Sequence, residues 1–231
     1  MREKSLVNEY YYHIINRSIA GFYIFNNDTE YQRMLDTMVF YQQSSPPTKF
    51  SRFTEYSIAR KKIMHQQLST YEVDSLGHTN KKLVEIISYC LMPTHFHLIL
   101  KQNQDFGISK YMCQTENSYT RYFNIKHKRK GPLWESRFKN ILINTNDQLL
   151  HLTRYIHLNP VSAGLVVKPQ NWQFSSYNEY IGDEYQSQKI CNYSDVLTIN
   201  KKDYQYFVED RIDYQKEISK IKKHLLENYA G

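Results

Sequence analysis

The feature that most constrains the fold is a pair of β-branched runs, KLVEIISYC (82–90) and HFHLILK (95–101), split only by LMPT. Four residues cannot hold a parallel crossover, so the two runs are expected to pair antiparallel as a hairpin. Around this hairpin the chain reads strand, helix, strand, strand, helix, strand. Residues 9–17 (EYYYHIINR) form the first strand. Tyr31, Met34, Leu35, Met38 and Val39 then recur at helical spacing to about Gln43, after a cap at Asp28 or Thr29. SSPPT at 44–48 stops that helix, because proline lacks the N–H and restricts its predecessor. Ile108 to Asn124 reads as the second helix and Arg137 to Ile143 as another strand. Asp147 opens a helix predicted to end near Asn159, before Pro160. This order predicts an α+β fold: a ferredoxin-like, RRM-like antiparallel sheet with helices packed on one face. Residues 44–80 read as an insertion, with a candidate helix from Tyr56 to Leu68. A mostly helical C-terminal extension, ending in an amphipathic Ile218–Leu226 segment, completes the chain.

Composition narrows the class. With 41% hydrophobic and 23% charged residues, the 231-residue chain is ordinary globular material with a real core. It contains no 18-residue apolar run, so no membrane association is expected. The start, MREKSLVNEY, lacks the apolar segment of a secretory signal. Cys90, Cys113 and Cys191 lie far apart with no CxxC pair, so neither a disulfide framework nor a cysteine zinc knuckle is expected, and a reducing cytoplasm is the expected compartment. A net charge of +7 and 21 tyrosines suit a polyanion whose bases stack on rings, although composition alone leaves surface packing as an equal reading.

Two motifs carry chemistry. In His95-Phe96-His97 on a strand, alternation puts both imidazoles on one face, where they can bind one divalent ion if a third ligand arrives from elsewhere. In HLTRYIHLNP (151–160), helical spacing stacks His151, Tyr155 and Asn159 in one stripe beside an apolar stripe of Leu149, Leu152, Thr153 and Ile156. Tyr155 would sit at the edge of the buried face with its hydroxyl free. A basic loop, Lys126, Lys128, Arg129 and Lys130, together with Arg137 and Trp134, is a candidate for binding a nucleic-acid backbone and stacking a base.

HIINRS (13–18), MPTHFHLIL (92–100), SYTRYFN (118–124), GPLWESRF (131–138) and RYIHLNPVSAGLV (154–166) follow one another in an order that resembles the single-tyrosine transposases of the HUH type, most of all their REP-associated branch. The resemblance runs from about residue 9 to 180. An HxH followed some sixty residues later by YIxxNPVxAG is its specific part. It implies a transposase domain over 1–180 with 181–231 as the extension. It also implies a metal pair, His95 and His97, completed by Asn159, and Tyr155 as nucleophile. His13 and Arg17 recur in the family's pattern without an assigned role.

The implied reaction is cleavage and rejoining of single-stranded DNA near hairpins through a 5′-phosphotyrosine, with Mg²⁺ or Mn²⁺ as cofactor. Asp and Glu are absent from 92–101 and 148–160, which counts against a two-metal nuclease, and no GxxxxGK[ST] loop is present. We add the expectation that His151, one turn before Tyr155, hydrogen-bonds the phenol or the scissile phosphate. Two other readings compete: a catalytically silent, hairpin-specific nucleic-acid-binding protein on the same fold, and, ranked last, a zinc hydrolase using the HxH pair. The resemblance fixes neither the target sequence nor the choice between monomer and homodimer.

Overall fold

The computed structural model describes residues 6–46, 50–54, 82–182, 189–194 and 197–218. Most of the 44–80 insertion, including the helix expected from Tyr56 to Leu68, and the Ile218–Leu226 segment beyond residue 218 lie outside them. The expected order is present: β1 (Tyr11–Arg17), α1 (Asp28–Tyr41), β2 (Val84–Met92), β3 (His95–Gln102), α2 (Gly107–Lys126) and β4 (Lys139–Ile143). Then come α3 (Asn146–Ser162), the short α4 (Tyr177–Ile181) and α5 (Lys201–Glu209). The strands form one antiparallel sheet in the order β2-β3-β1-β4.

The central pairing sets the two faces. Arg17 lies opposite His95, Ile15 opposite His97 and His13 opposite Ile99, so these six share one face. Tyr12, Ile14 and Asn16 share the other with Leu100, Leu98 and Phe96. That second face carries α1 and α2: Asn16 Nδ2 donates to Glu116 Oε1 at 2.8 Å, and Phe96 packs edge-on against Trp134, whose Nε1–H bonds Thr120. Ile14, Met34, Met38, Leu98, Tyr111 and Tyr119 fill this layer, all without solvent contact. The expected one-sided packing therefore holds for the two helices of the βαββαβ unit. The helix α3 adds a layer on the opposite face, over the histidines.

Two boundaries differ from the sequence reading. The cap of α1 is Asn27, whose side chain accepts from the Glu30 backbone N–H, while Glu30 Oε2 accepts from the Asn26 N–H. This reciprocal arrangement outcompetes Asp28 and Thr29 because it satisfies donors on both sides of the helix start. The helix α3 does not stop before Pro160 but runs to Ser162 with the proline inside it. In the last turn Pro160 costs one backbone bond, and its ring is buried. The helix ends instead on Gly164 at φ +70°, with Gly164 N–H bonded to Val161 O and Leu165 N–H to Pro160 O, a Schellman closure.

The chain after α3 is part of the same core. Residues 172–176 and Asn192 cover the outer edge of β2: Trp172 Nε1 donates to Leu91 O, Leu91 N to Phe174 O, Ser176 N to Tyr89 O and Asn192 N to Ile86 O. An edge strand that would otherwise offer free backbone groups is thereby closed. A bulge between Ile86 and Ser88 shifts the β2 register by one, which places Ser88 opposite Ile99 on the histidine face. There Ser88 and Ser176 hydroxyls meet His157 Nε2 at 3.1 and 2.7 Å. On the other side of the ring, His157 Nδ1 meets the Tyr204 hydroxyl at 2.7 Å, and that hydroxyl donates to Thr153. The extension's helix α5 is thus locked to α3 by a fully buried network. Among the described residues no helix is long and apolar enough to cross a membrane.

Two outcomes are expected. Gly164→Ala should destabilise the protein by about 1 kcal/mol in urea unfolding, since a Cβ there has open space but an unfavourable backbone angle. Burial holds His157 down to about 3 from 6.5, so the unfolded chain takes up this proton first as pH falls. Its contribution to stability is complete above pH 6.5 and is lost toward pH 3, at up to about 1.4 kcal/mol per pH unit. Unfolding midpoints should therefore fall on acidification, and less steeply in His157→Gln, which starts from lower stability.

Candidate active site

The site forms where β1 and β3 lie side by side beneath α3. His95 and His97 project from β3 on the same face, with ring centroids 5.2 Å apart. His13 projects from β1 diagonally to His97: its Nε2 lies 3.0 Å from His97 Nδ1, and the rings stack at 5.2 Å with 21° between planes. Tyr155, on α3, sets its ring edge-on to both, 5.7 Å from His97 and 6.4 Å from His13. Tyr155 is 38% exposed while His13 and His97 are buried, so the tyrosine meets both the histidines and solvent. Asn159 follows one turn later, its Nδ2 donating to Tyr155 O at 3.2 Å, which leaves Oδ1 free of that bond.

Burial governs the protonation of this group. It lowers His13 to about 4 and His95 to about 4, the latter helped by the Arg17 guanidinium. His97 is pushed well below its ordinary value by burial and then by its two histidine neighbours. The three imidazoles are therefore neutral at pH 7 and present lone pairs. Burial also raises the Tyr155 phenol, which stays protonated in the free protein. Thr94 Oγ1 sits 3.1 Å from His95 Nδ1, so in both histidines of the HxH pair Nδ1 is engaged, while Nε2 has no hydrogen-bond partner among the described residues.

The other expected residues divide. His151 is turned toward the extension: its Nδ1 accepts from Arg154, and its ring packs edge-on against Phe207, just before the end of α5. Among the described residues it has no bond to Tyr155, so the expected hydrogen bond to the phenol is absent. In the basic loop, Lys126 pairs at 2.9 Å with the buried Glu30 carboxylate. Burial would raise that carboxylate, but Lys126, the Asn26 donors and His127 outweigh it and hold Glu30 down to about 2. Arg129 closes its own loop, donating to Pro132 O and Asn124 Oδ1. Trp134 is half-buried against Phe96 and Tyr119, and its N–H is spent on Thr120, so it packs the core instead of offering a stacking face. Lys128, Lys130 and Arg137 are exposed, with side chains that make no hydrogen bond or ion pair among the described residues.

Sequence reasoning left two neighbours of the site without a role. His13 shares the His97 face only because β1 pairs with β3, and no local pattern announces that. Arg17 reaches the same face opposite His95 and forms an exposed pair with Glu135 at 3.2 Å. Both recur in the YHIINR strand, where alternation alone already put His13, Ile15 and Arg17 on one side.

Among the described residues no group of three or more His, Cys, Asp and Glu side chains is placed to hold a metal ion. Any ion at the HxH pair would need a third donor of another kind, and the family resemblance implies Asn159 for that place.

Comparison with known proteins gives the same direction as the motifs. Residues 53–159, which include His95, His97, Tyr155 and Asn159, match the family model described as Transposase IS200 like. A curated Haemophilus influenzae protein named for the REP-associated tyrosine transposases is 26% identical over 110 residues, 43% of this chain and 62% of that protein. The Escherichia coli REP-associated tyrosine transposase is 27% identical over 119 residues, 48% of this chain and 68% of that protein. The match thus spans less than two thirds of the Haemophilus protein's length. A solved structure of a REP-associated tyrosine transposase bound to a REP hairpin aligns with a TM-score of 0.48 at 16% identity, covering 86% of this chain and 97% of that one. In its motifs and over these matched stretches, this chain is similar to the IS200-like transposases and to REP-associated tyrosine transposases.

Proposed function

We propose that this protein is a metal-dependent single-stranded DNA transposase that nicks and rejoins strands near hairpins through Tyr155. The observation that carries the reading is the half-exposed Tyr155 phenol set edge-on against the buried, neutral His97 and His13. In the reaction, Tyr155 Oη gives up its proton to solvent and forms a bond to phosphorus, the bond from phosphorus to the 3′ oxygen breaks, and that oxygen takes a proton from solvent and leaves as a 3′-OH, so protons balance overall. The 5′-phosphotyrosine conserves the ester, so a 3′-OH can reverse the step without a nucleotide cofactor.

The donor chemistry suits a divalent ion. His95 and His97 have Nδ1 engaged and Nε2 available, and Asn159 Oδ1 adds an amide oxygen, a mixed nitrogen and oxygen set that takes Mn²⁺ at least as well as Mg²⁺. Held there, such an ion would polarise the scissile phosphate. The chain's own groups do the rest. The turn between Tyr155 and Asn159 ties nucleophile to ligand on one rigid helix, and burial keeps both imidazoles unprotonated. Arg17, opposite His95 and paired with an exposed carboxylate, can turn to a phosphate at small cost. Lys128, Lys130 and Arg137 would carry the DNA backbone, whereas Lys126, Arg129 and Trp134 are committed to the fold.

The decisive experiment incubates the full chain with single-stranded oligonucleotides copied from hairpins flanking its gene, with Mn²⁺ or Mg²⁺, and seeks a covalent adduct on a denaturing gel. The adduct should vanish in Tyr155→Phe and in EDTA and persist in Tyr206→Phe, which alters an exposed tyrosine. An adduct surviving Tyr155→Phe would overturn the nucleophile, and tight binding with no adduct would favour the silent binding module. Combined Lys128→Ala, Lys130→Ala and Arg137→Ala should flatten the log–log salt dependence of binding by about 2 units. Lys126→Ala should instead cost about 1–3 kcal/mol of stability, because it removes a partner of a buried carboxylate.

A further inference from the structure

We propose that His13 is a positioning residue: it accepts the His97 Nδ1–H and so fixes the His97 tautomer that leaves Nε2 free to ligate a metal. This role rests on the metal reading of the site given above and adds a residue that the reading does not require.

The argument is one of counting protons. His13 Nε2 and His97 Nδ1 are buried 3.0 Å apart, a separation that neither two N–H groups nor two lone pairs facing each other would hold, so a single N–H lies between them. If His13 donates, His97 carries its own proton on Nε2, and with Nδ1 already accepting it has no lone pair left for a ligand. If His97 donates, its Nε2 is bare and faces no such competition. Metal binding by His97 with the pair intact therefore requires the second arrangement. His13 is then not itself a ligand through Nε2, since that lone pair is spent on His97.

Two further features agree. Thr94 Oγ1 stands at His95 Nδ1, 3.1 Å away, and a hydroxyl can accept from an imidazole N–H, so the two histidines of the pair are held in the same manner. The His13 ring also stacks on His97 and meets Tyr155 edge-on, so it fixes the His97 plane as well as its proton. The cross-strand register that places His13 diagonal to His97 is set by β1 and β3 themselves.

The test uses the ¹⁵N-labelled full chain without metal. Long-range ¹H–¹⁵N spectra of histidine should show His97 as the Nδ1–H tautomer in wild type; the Nε2–H tautomer overturns the proposal. Mn²⁺ titration by calorimetry should then show binding weakened about 10–100-fold in His13→Leu, which cannot accept a hydrogen bond. His13→Gln, whose amide oxygen can accept, should restore most of it, and thermal melts of both variants report folding separately. Wild-type affinity in a folded His13→Leu overturns the role. Wild type that takes up no Mn²⁺ overturns the metal reading beneath it, a different failure from a wrong tautomer or an indifferent leucine variant.

Discussion

Everything at the site depends on the register of β1 against β3. Side chains alternate along a strand, so a slip of one residue would send His13 and the HxH pair to opposite faces of the sheet. What holds the register is the other face, where Tyr12 and Ile14 stand opposite Leu100 and Leu98 in the buried layer under α1 and α2. A hydrophobic core on one side of the sheet thereby sets the chemistry on the other. The alternation within a single strand places His95 and His97 together, and the pairing of two strands brings His13 and Arg17 to them.

The helix α3 supplies the remaining groups, and its setting is controlled from beneath. Tyr155 and Asn159 lie near the surface, but His157 and Thr153 on the same helix are fully buried. His157 is bonded on one ring nitrogen to the serines of β2 and the 172–176 segment, and on the other to Tyr204 of α5. Both the turn that ends α3 and this network restrict rotation about the helix axis, which is the motion that would carry the phenol away from His97. A bulge in β2 is part of the arrangement, since it brings Ser88 to the histidine face.

Charge is distributed to match. The histidine face holds no carboxylate from β3 or from the second half of α3, and Arg17, opposite His95, lowers His95 further after burial. The buried Glu30 carboxylate lies on the other side of the sheet and is matched by Lys126, His127 and the Asn26 donors. This arrangement puts part of the basic loop to structural use.

Sequence by itself determined the element order, the βαββαβ sheet and the shared face of His95 and His97, because these follow from the periods 2 and 3.6 and from a four-residue connection. It also determined the Tyr155 to Asn159 spacing, one helical turn. Local pattern misjudged the Asn27 cap and the end of α3, where a reciprocal cap and a buried proline prevailed over single-residue rules. Only tertiary structure decided what His13, His151, Trp134 and the basic loop do. His13 gains its partner across a strand pair 84 residues apart in sequence, His151 is claimed by Arg154 and Phe207, and Trp134 by the core. Such contacts carry no signature in local sequence, since they depend on which distant surface happens to be brought against each side chain.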